Sequence, residues 1–241
     1  LIEFLNKDKN VKNILVVDNS PIDKIKENLR SFKKVKYVFV NKNLGFSKGH
    51  NLSRKYLKET EYHLILNPDI AFYENQDLIK DLLCYFDKSN NIVLLQPNIV
   101  NYLDEKNQYL CKRNPSLLIQ LLRGFGPKYF KNLFIKYNNF FEMRDLAYQN
   151  QIVESQYLSG CFMFCKTSAL NKINWFDEDF FMYLEDADLT RRLSRIGKCL
   201  HIPYLKIMHV WEKGSHKKLK LKLEAIRSFF IYSYKWGLKI W

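Results

Sequence analysis

The sequence is short of several features that mark particular classes of protein. Cysteine occurs five times, an odd number, and no two cysteines form a Cys-x-x-Cys pair. A reduced, cytosolic compartment therefore fits better than a disulfide framework. We find no signal peptide and no apolar run long enough to span a bilayer. Internal repeats and low-complexity linkers are absent as well.

Acidic residues are also scarce. Asp and Glu total 25 against 39 Lys and Arg, which gives a formal net charge of +14. Such an excess predicts an anionic partner, which could be a nucleic acid, a membrane surface or a phosphorylated substrate. No nucleic-acid-binding module is recognisable, and core and membrane contacts better explain the 15% aromatic residues. We therefore expect no nucleic-acid partner.

The first hundred residues alternate between two kinds of pattern. Short apolar runs, typical of buried strands, cover 13–20, 35–41, 62–67 and 91–97. Helical spacing occupies the intervals 21–32, 46–59 and 75–88. Such alternation predicts βαβ units, and hence an α/β domain with a mixed, mainly parallel sheet flanked by helices.

The second half of the chain departs from this alternation. Residues 101–150 are aromatic and basic, and they indicate irregular structure. A strand is predicted over 157–166 and a helix from Asp186 to Gly197. Two short strands, "CLHIP" and "KIMHV", follow this helix.

Acids stand at the ends of two predicted strands. Asp18 ends "VVD", and Asp69 follows "LILNP". Ligands of such sheets bind outside the carboxyl ends of the strands. Asn, Pro and Asp are also turn residues, so Asn67-Pro68-Asp69 taken alone is better explained as a turn. A divalent cation, however, takes oxygen ligands and bridges carboxylates to phosphates.

The segment 175–193 is rich in carboxylates that lie between aromatic residues. Acids at a helix start can act as caps, which explains one or two of them. Aromatic walls, in contrast, raise the pKa of a carboxyl and exclude water, as a general base requires. The acids of the segment are Asp177, Glu178, Asp179, Glu185, Asp186 and Asp188.

Two further features allow more than one interpretation. His209 follows the apolar run "LKIM" and is either structural or a metal ligand. Gly45 and Gly49, in "NKNLGFSKGHN", indicate either a turn before a helix or a close approach of the backbone to a ligand.

Taken together, the ordered segments resemble family-2 glycosyltransferases with the GT-A fold, a Rossmann-like α/β fold. The subgroup that they resemble most is that of bacterial rhamnosyltransferases of cell-surface polysaccharide synthesis. The resemblance covers roughly residues 13 to 235. The segments are "VVDNS", "NKNLGFSKGHN", "LILNPDI", "LSGCFMFCKTSAL", "FDEDFFMYLEDADLTRRLSRIG" and "HVWEKGS".

The resemblance implies roles for individual residues. Asp186, with Glu185 beside it, corresponds to the general base. Asp69 corresponds to the acid that binds Mg²⁺ or Mn²⁺, and His209 to a histidine that completes the metal site in some members. Asn67 takes the place of the first acid of the Asp-x-Asp-like motif. The remaining implied contacts to the donor are Asp18, Asn43, Gly45, Asn51 and Gly160.

The implied reaction is an inverting transfer of one sugar in cell-surface polysaccharide synthesis. The donor would be a nucleotide sugar, either dTDP-rhamnose or a UDP-hexose. The acceptor would be a saccharide or a polyprenyl-linked sugar. The Gln-x-x-Arg-Trp motif of processive members is absent, which favours one transfer per event. The family's first strand, with its "TYN"-like segment, is also not found, so the first βα unit is expected to be missing.

The last residues predict a separate amphipathic segment. Residues 1–215 would form the transferase domain, with 1–100 as its nucleotide-binding half and 101–215 as its acceptor and catalytic half. Residues 216–241 carry Leu219, Leu223, Ile226 and Phe230 at helical intervals among basic residues. Such a helix either lies on an anionic membrane or packs on the domain. A peripheral position at the inner face of the cell membrane is expected.

Two rival functions stay open at this point. A nucleotidyltransferase also uses strand-end acids and a metal, but the basic triphosphate-binding signature that it needs is not found. The other rival is a truncated or degenerate GT-A domain without activity, which binds nucleotide or a membrane surface through its charge.

Overall fold

The strands of the protein lie in three separate sheets. The computed structural model describes residues 1–57, 60–210 and 219–240. One small sheet consists of the two parallel strands β1 (Ile14–Asp18) and β2 (Val35–Phe39). Helices α1 (Ile2–Lys7) and α2 (Lys26–Leu29) accompany these strands.

The main sheet holds six strands. They are β3 (Tyr62–Leu66), β4 (Ile70–Ala71), β5 (Ile92–Asn101), β7 (Val153–Glu154), β9 (Phe162–Lys166) and β10 (Lys198–His209). Their order is β3-β9-β5-β10-β4, and β7 pairs with β10. The strand β9 is antiparallel to both β3 and β5, whereas β5 and β10 are parallel. Three long strands thus run in one direction, which confirms the predicted mixed α/β sheet.

A short ribbon and the helices complete the fold. The ribbon pairs β6 (Cys111–Lys112) with β8 (Tyr157–Leu158). The remaining helices are α3 (Phe46–Asn51), α4 (Ser53–Tyr56), α5 (Leu78–Lys88), α6 (Leu117–Tyr129), α7 (Lys131–Phe141), α8 (Thr167–Lys172), α9 (Glu185–Leu193) and α10 (Leu219–Trp236).

The core lies on both faces of the main sheet. On one face, β5 packs against α5, which buries Leu78, Leu82 and Phe86. On the other face, α9 buries Leu189 and Leu193. Helical spacing of apolar residues therefore places both helices, as the sequence predicts.

Several local predictions were wrong. Residues 101–150 are not irregular, because α6 and α7 form there although Gly124 and Pro127 lie within α6. Residues 21–32 do not form one helix: only Lys26–Leu29 is helical, and Ile22 is 59% exposed, so no core supports the first turn. The two short strands near residues 199 and 207 are a single strand, β10, with a register shift between Ile202 and Lys206.

Part of the predicted C-terminal segment lies outside the described residues. Residues 211–218, which include most of the "HVWEKGS" segment and the boundary at 215, are among them. The division of 1–215 into two halves stays a prediction. The helix predicted in the tail is present as α10.

Candidate active site

A pair formed by the half-exposed carboxylate of Asp69 and the buried imidazole of His209 lies where β10 ends. Asp69 follows β3 and precedes β4, and its Oδ2 lies 3.2 Å from Nε2 of His209. The carbonyl of Asp69 also accepts a hydrogen bond of 2.9 Å from the amide of Val210. The antiparallel pairing of β4 with β10 therefore positions both side chains.

The tautomer of His209 follows from its second neighbour. Gln108 donates through Nε2 to the carbonyl of His209 at 3.0 Å, so its Oε1 is left as the acceptor facing Nδ1 at 2.7 Å. An acceptor at Nδ1 requires a proton there, and in the neutral imidazole this leaves the Nε2 lone pair pointing at Asp69. Two acceptor atoms thus face each other.

This pair offers two candidate ligands for a metal ion. Oδ1 of Asp69 and Nε2 of His209 are both buried without a hydrogen-bond partner among the described residues. A divalent cation would satisfy both atoms, and Mn²⁺ accepts a mixed oxygen and imidazole set. Within the described part of the chain, no group of three or more His, Cys, Asp or Glu side chains forms a complete metal site. Water and substrate oxygens would have to supply the other ligands.

A three-residue turn connects this pair to the predicted base. The amide of Asn67 donates to the carbonyl of Cys161 at 3.0 Å, and the adjacent amide of Gly160 donates to Oδ2 of Asp186 at 2.9 Å. Gln96, fully buried on β5, donates to the carbonyls of Ser159 and Phe162 and so fixes the turn to the sheet. No pattern in the sequence singles out Gln96 or Gln108.

Gly160 provides room as well as a hydrogen-bond donor. A Cβ atom at this position would lie 3.0 Å from Cζ of Phe46 and 3.3 Å from Cβ of Asp186. Any side chain here would push against both, so only glycine lets the turn approach α9 this closely.

The two carboxyl groups at the start of α9 differ in environment. Leu184 precedes the helix with a φ of 62°, which turns the chain so that Glu185 points into the interior. Burial and the charge of Asp186 raise the pKa of Glu185 well above its usual value. Burial therefore favours the protonated form of Glu185.

The carboxylate form of Asp186 is stabilised more strongly than that of Glu185. Burial raises its pKa, but Lys112 and the amides of Gly160 and Ala187 oppose that shift. Two neighbouring carboxyls in unequal surroundings divide into an acid and a base. Asp186 is thus the member of the pair that ionises more readily.

Lys112 supplies a cation that the sequence analysis did not single out. It lies on β6, and its Nζ is 5.0 Å from the centre of the Tyr157 ring. Burial, with the neighbouring charge of Arg123, lowers the pKa of Lys112 to about 8, although Asp186 favours the charged form. Its charge therefore depends on pH within the range in which an enzyme is assayed.

Asp18 lies in the other sheet. Its carboxylate ends β1, accepts a hydrogen bond of 2.9 Å from the amide of Ser20 and lies 2.6 Å from the hydroxyl of Tyr37. Burial opposes ionisation, but these hydrogen bonds hold the pKa of Asp18 below its ordinary value. Asp18 is therefore an anion at the carboxyl end of β1.

The loop before α3 is held in a fixed shape. Oδ1 of Asn43 accepts a hydrogen bond of 2.9 Å from the amide of Gly45. Gly45 has a φ of 80°, and a Cβ there would lie 2.4 Å from the carbonyl oxygen of Phe181. Asn51 is engaged within the protein, since its amide group exchanges hydrogen bonds with the backbone of Phe176. The structure thus shows internal contacts for Asn43 and Asn51.

Among solved structures, the fold matches glycosyltransferases of the GT-A type. A mannosyltransferase from Pyrobaculum calidifontis, in complex with GDP-Man and Mn²⁺, has a TM-score of 0.57 and 13% identity, with 92% of this chain and 55% of that chain covered. TarS residues 1–349 of S. aureus has a TM-score of 0.55 and 16% identity, with 98% and 68% covered. These similarities establish the fold.

The sequence comparisons establish the family. A model described as "Glycosyl transferase family 2" matches residues 1–171, and the chain belongs to this family. Rhamnosyltransferase WbbL of Escherichia coli K12 is 27% identical over 99% of this chain and 84% of its own length. Hexosyltransferase Agl10 of Haloferax volcanii is 26% identical over 78% of this chain and 57% of its own length. The protein is therefore a glycosyltransferase with rhamnosyl- and hexosyltransferase relatives.

Proposed function

We propose that the protein transfers one sugar, with inversion, from a nucleotide sugar to a saccharide or polyprenyl-linked acceptor. The donor is dTDP-rhamnose or a UDP-hexose. The observation that supports this most strongly is the turn 159–161, which joins the Asp69–His209 pair to Asp186 through two backbone hydrogen bonds. In this reaction the metal-bound diphosphate lies on one side of the anomeric carbon and the acceptor hydroxyl lies on the other. The metal ligands and the base must therefore be held near each other.

Asp186 acts as the general base. As the acceptor oxygen bonds to the anomeric carbon, its proton passes to Asp186 and the bond from that carbon to the diphosphate oxygen breaks. One displacement inverts the configuration and needs no covalent intermediate. Burial favours the protonated form of Glu185, which makes it the weaker candidate for accepting the proton.

Asp69 and His209 would hold Mg²⁺ or Mn²⁺. The ion would supply positive charge to the diphosphate as it leaves. Asp18 and the loop from Asn43 to Gly45 would contact the nucleoside part of the donor. Gly160 would lie beside the sugar, because its amide points at the base.

Part of the acceptor proposal comes from a relative. A 54-residue segment, 22% of this chain, is 37% identical to an N-acetylglucosaminyl-diphospho-decaprenol L-rhamnosyltransferase of Mycobacterium tuberculosis. The matching segment covers 18% of that protein. An acceptor carried on a polyprenyl diphosphate therefore deserves the first assay.

The α10 surface supports contact with a membrane. Leu219, Leu223, Ile226 and Phe230 are all more than half exposed, whereas Ser228 and Tyr232 pack on the domain. The helix thus uses a different face for packing and leaves its apolar stripe, with Lys220, Lys222 and Arg227 nearby, free for a lipid surface. No helix in the described ranges is both long and apolar enough to cross a bilayer. We propose peripheral contact at the inner face of the cell membrane.

Two measurements test these proposals. Transfer of labelled sugar to a polyprenyl-diphosphate acceptor should fall about 10²- to 10⁴-fold in Asp186→Asn, the usual worth of a general base. Glu185→Gln should retain most of the rate. Undiminished transfer by Asp186→Asn would exclude Asp186 as the base.

For the membrane, co-flotation with anionic vesicles should be lost in Phe230→Glu and retained in Tyr204→Glu, an exposed position on β10.

A further inference from the structure

Three hydrogen-bond donors lie around one pair of aromatic rings. Lys112 and Tyr157 are directly opposite each other in the antiparallel ribbon of β6 and β8, so their side chains project from the same face. The ammonium group of Lys112 lies 5.0 Å from the centre of the Tyr157 ring. The guanidinium carbon of Arg123, on α6, lies 5.4 Å from the centre of the Phe141 ring, which meets Tyr157 edge to face at 6.1 Å. Two cations and a phenol hydroxyl thus form one cluster.

The cluster has no polar partner among the residues that the structure describes. Neither cation forms an ion pair there, and the hydroxyl of Tyr157 forms no hydrogen bond there, although this side chain is only 7% exposed. The two cations repel each other, and Arg123 accordingly lowers the pKa of Lys112. An anion bound between them would remove this repulsion.

The carboxylates nearby are already engaged. Glu142 forms an ion pair with Arg144 at 2.6 Å, and Asp145 forms one with Arg113 at 2.7 Å. Asp186 accepts two backbone hydrogen bonds of 2.9 Å each. An anion for the two unpaired cations must then come from a ligand.

Thr190 fixes the cluster to the predicted base. Its hydroxyl lies 2.7 Å from the carbonyl oxygen of Asp186 and accepts a hydrogen bond of 3.3 Å from the amide of Leu158, the residue after Tyr157. One side chain of α9 therefore joins the backbone of the base to the ribbon. A substrate that presents a hydroxyl to Asp186 thus has the ribbon side chains Lys112 and Tyr157 beside it.

We propose that Lys112, Arg123 and Tyr157 bind the diphosphate that joins the acceptor saccharide to its lipid carrier. Guanidinium groups bind phosphate oxygens in pairs, and a lysine ammonium group binds them as a point charge. Each phosphate of such a diester carries one negative charge, which matches the two cations. Bound there, the diphosphate would hold the saccharide with its free hydroxyl at Asp186.

This subsite rests on the proposed function, because it assigns a part of the proposed acceptor. It is separate from the donor's diphosphate, which would lie at the metal between Asp69 and His209. The two diphosphates lie on opposite sides of the transferred sugar, so different residues should control the affinity for each of them.

A matched pair of acceptors tests the subsite. One is N-acetylglucosaminyl-diphospho-decane, and the other is decyl N-acetylglucosaminide, which has the same sugar and chain but no phosphate. Transfer is measured below the pKa of Lys112, which is about 8, so that this residue is charged. The two acceptors are compared on the same variant, so a change in the pKa of Asp186 affects both alike.

The variants should separate the two acceptors. Lys112→Met and Arg123→Gln should each raise KM for the diphosphate acceptor about tenfold or more, the usual effect of losing a charged hydrogen bond. KM for the neutral acceptor should change less than about twofold. Lys112→Arg should restore most of the affinity, because it keeps the charge. Lys128→Met, an exposed position on α6, is the matched control and should treat both acceptors as the parent does.

Calorimetry without donor or metal makes the test independent of transfer. The parent should bind the diphosphate acceptor at least about tenfold more tightly than the neutral one, and Lys112→Met should abolish that difference. If no sugar is transferred but binding depends on Lys112 in this way, the proposed function fails and the subsite stands. Arg123 is exposed, so Arg123→Gln provides the same test if Lys112→Met does not fold.

Three results would overturn the proposal. Equal increases in KM for both acceptors would mean that Lys112 and Arg123 support only the fold or the base. Weaker binding of UDP with Mn²⁺ in Lys112→Met would place the donor's diphosphate at this cluster. Loss of co-flotation with anionic vesicles in Arg123→Gln would indicate a membrane headgroup as the ligand.

Discussion

Asp188 accepts a hydrogen bond of 2.9 Å from the indole Nε1 of Trp236, so the last turn of α10 is fixed to the helix that begins with Glu185 and Asp186. The carboxylate is fully buried and also pairs with Arg192 at 2.8 Å and Lys235 at 2.9 Å. Trp236 in turn lies within 4.3 Å of the Arg191 guanidinium. The position of α9 thus depends on the C-terminal helix.

Replacement of Asp188 by alanine should therefore be costly. The substitution leaves Arg192 without its buried partner, although Lys235 keeps its pair with Asp177 at 2.6 Å, and breaking a buried pair in this way costs about 3–5 kcal/mol. The matched control is Asp104→Ala, which removes an exposed pair with Lys106 and should cost less than about 1 kcal/mol. Urea unfolding followed by circular dichroism gives both values. Equal losses would mean that the contact between α9 and α10 adds little stability.

Gln108 should control metal affinity without touching the metal. Gln108 fixes the tautomer of His209 through Nδ1, the ring nitrogen that does not face Asp69. Loss of such a supporting group typically lowers metal affinity 10- to 100-fold. We expect Gln108→Met to weaken Mn²⁺ binding by that factor in a calorimetric titration with UDP present. Gln149→Met, an exposed position in the same half of the chain, should bind Mn²⁺ normally. Unchanged affinity in Gln108→Met would count against His209 as a ligand.

Lys112 should shape the pH dependence of transfer. Burial raises the pKa of Asp186, and the charge of Lys112 opposes that shift. Activity requires the carboxylate, so the rate rises as pH increases through the pKa of Asp186. Lys112→Met removes the opposing charge, and the acid limb of the profile should move to higher pH. Lys128→Met, an exposed residue of α6, should leave it in place. A shift to lower pH would contradict the assignment.

Glu185 should destabilise the fold as pH rises. Its folded pKa is raised well above the ordinary value of 4.5, so the folded state keeps a proton that the unfolded state releases. The free energy of unfolding therefore falls as pH increases above about 4.5. Glu185→Gln should have a higher Tm than the parent at pH 7.5 and the same Tm near pH 4. Each kcal/mol corresponds to about 2–4 °C in a chain of this size. Glu154→Gln, on the surface, should follow the parent at both pH values.

Residues close to regular elements were predictable from the sequence. The apolar runs before Asp18 and Asp69 predicted strands; Asp18 is the last residue of β1, and Asp69 lies in the short connection between β3 and β4. The acids of "LED" predicted a helix start, and α9 begins at Glu185. Such features depend on local spacing, which a sequence shows directly.

The supporting residues were not predictable in this way. Gln108 contacts His209 across 101 positions of the chain, and Gln96 contacts Ser159 across 63. Nothing local distinguishes either glutamine, because the tertiary fold alone brings it to the site. Lys112 lies just before α6, in the aromatic and basic region 101–150 that was predicted to be irregular. Several apolar residues of α6 and α7 are exposed, so the spacing of apolar residues along the sequence does not mark a buried helix face there.

The close approach at Gly160 has a consequence for how this chain can diverge. A methyl group there would meet the ring of Phe46 before it met anything else. Exchange of the phenylalanine for a smaller residue removes the tighter of the two contacts and leaves only the one of 3.3 Å with Cβ of Asp186. Alanine at position 160 should therefore be better tolerated after that exchange, although the two positions are 114 residues apart in sequence numbering. A library that randomises both at once should recover active pairs more often than either single replacement.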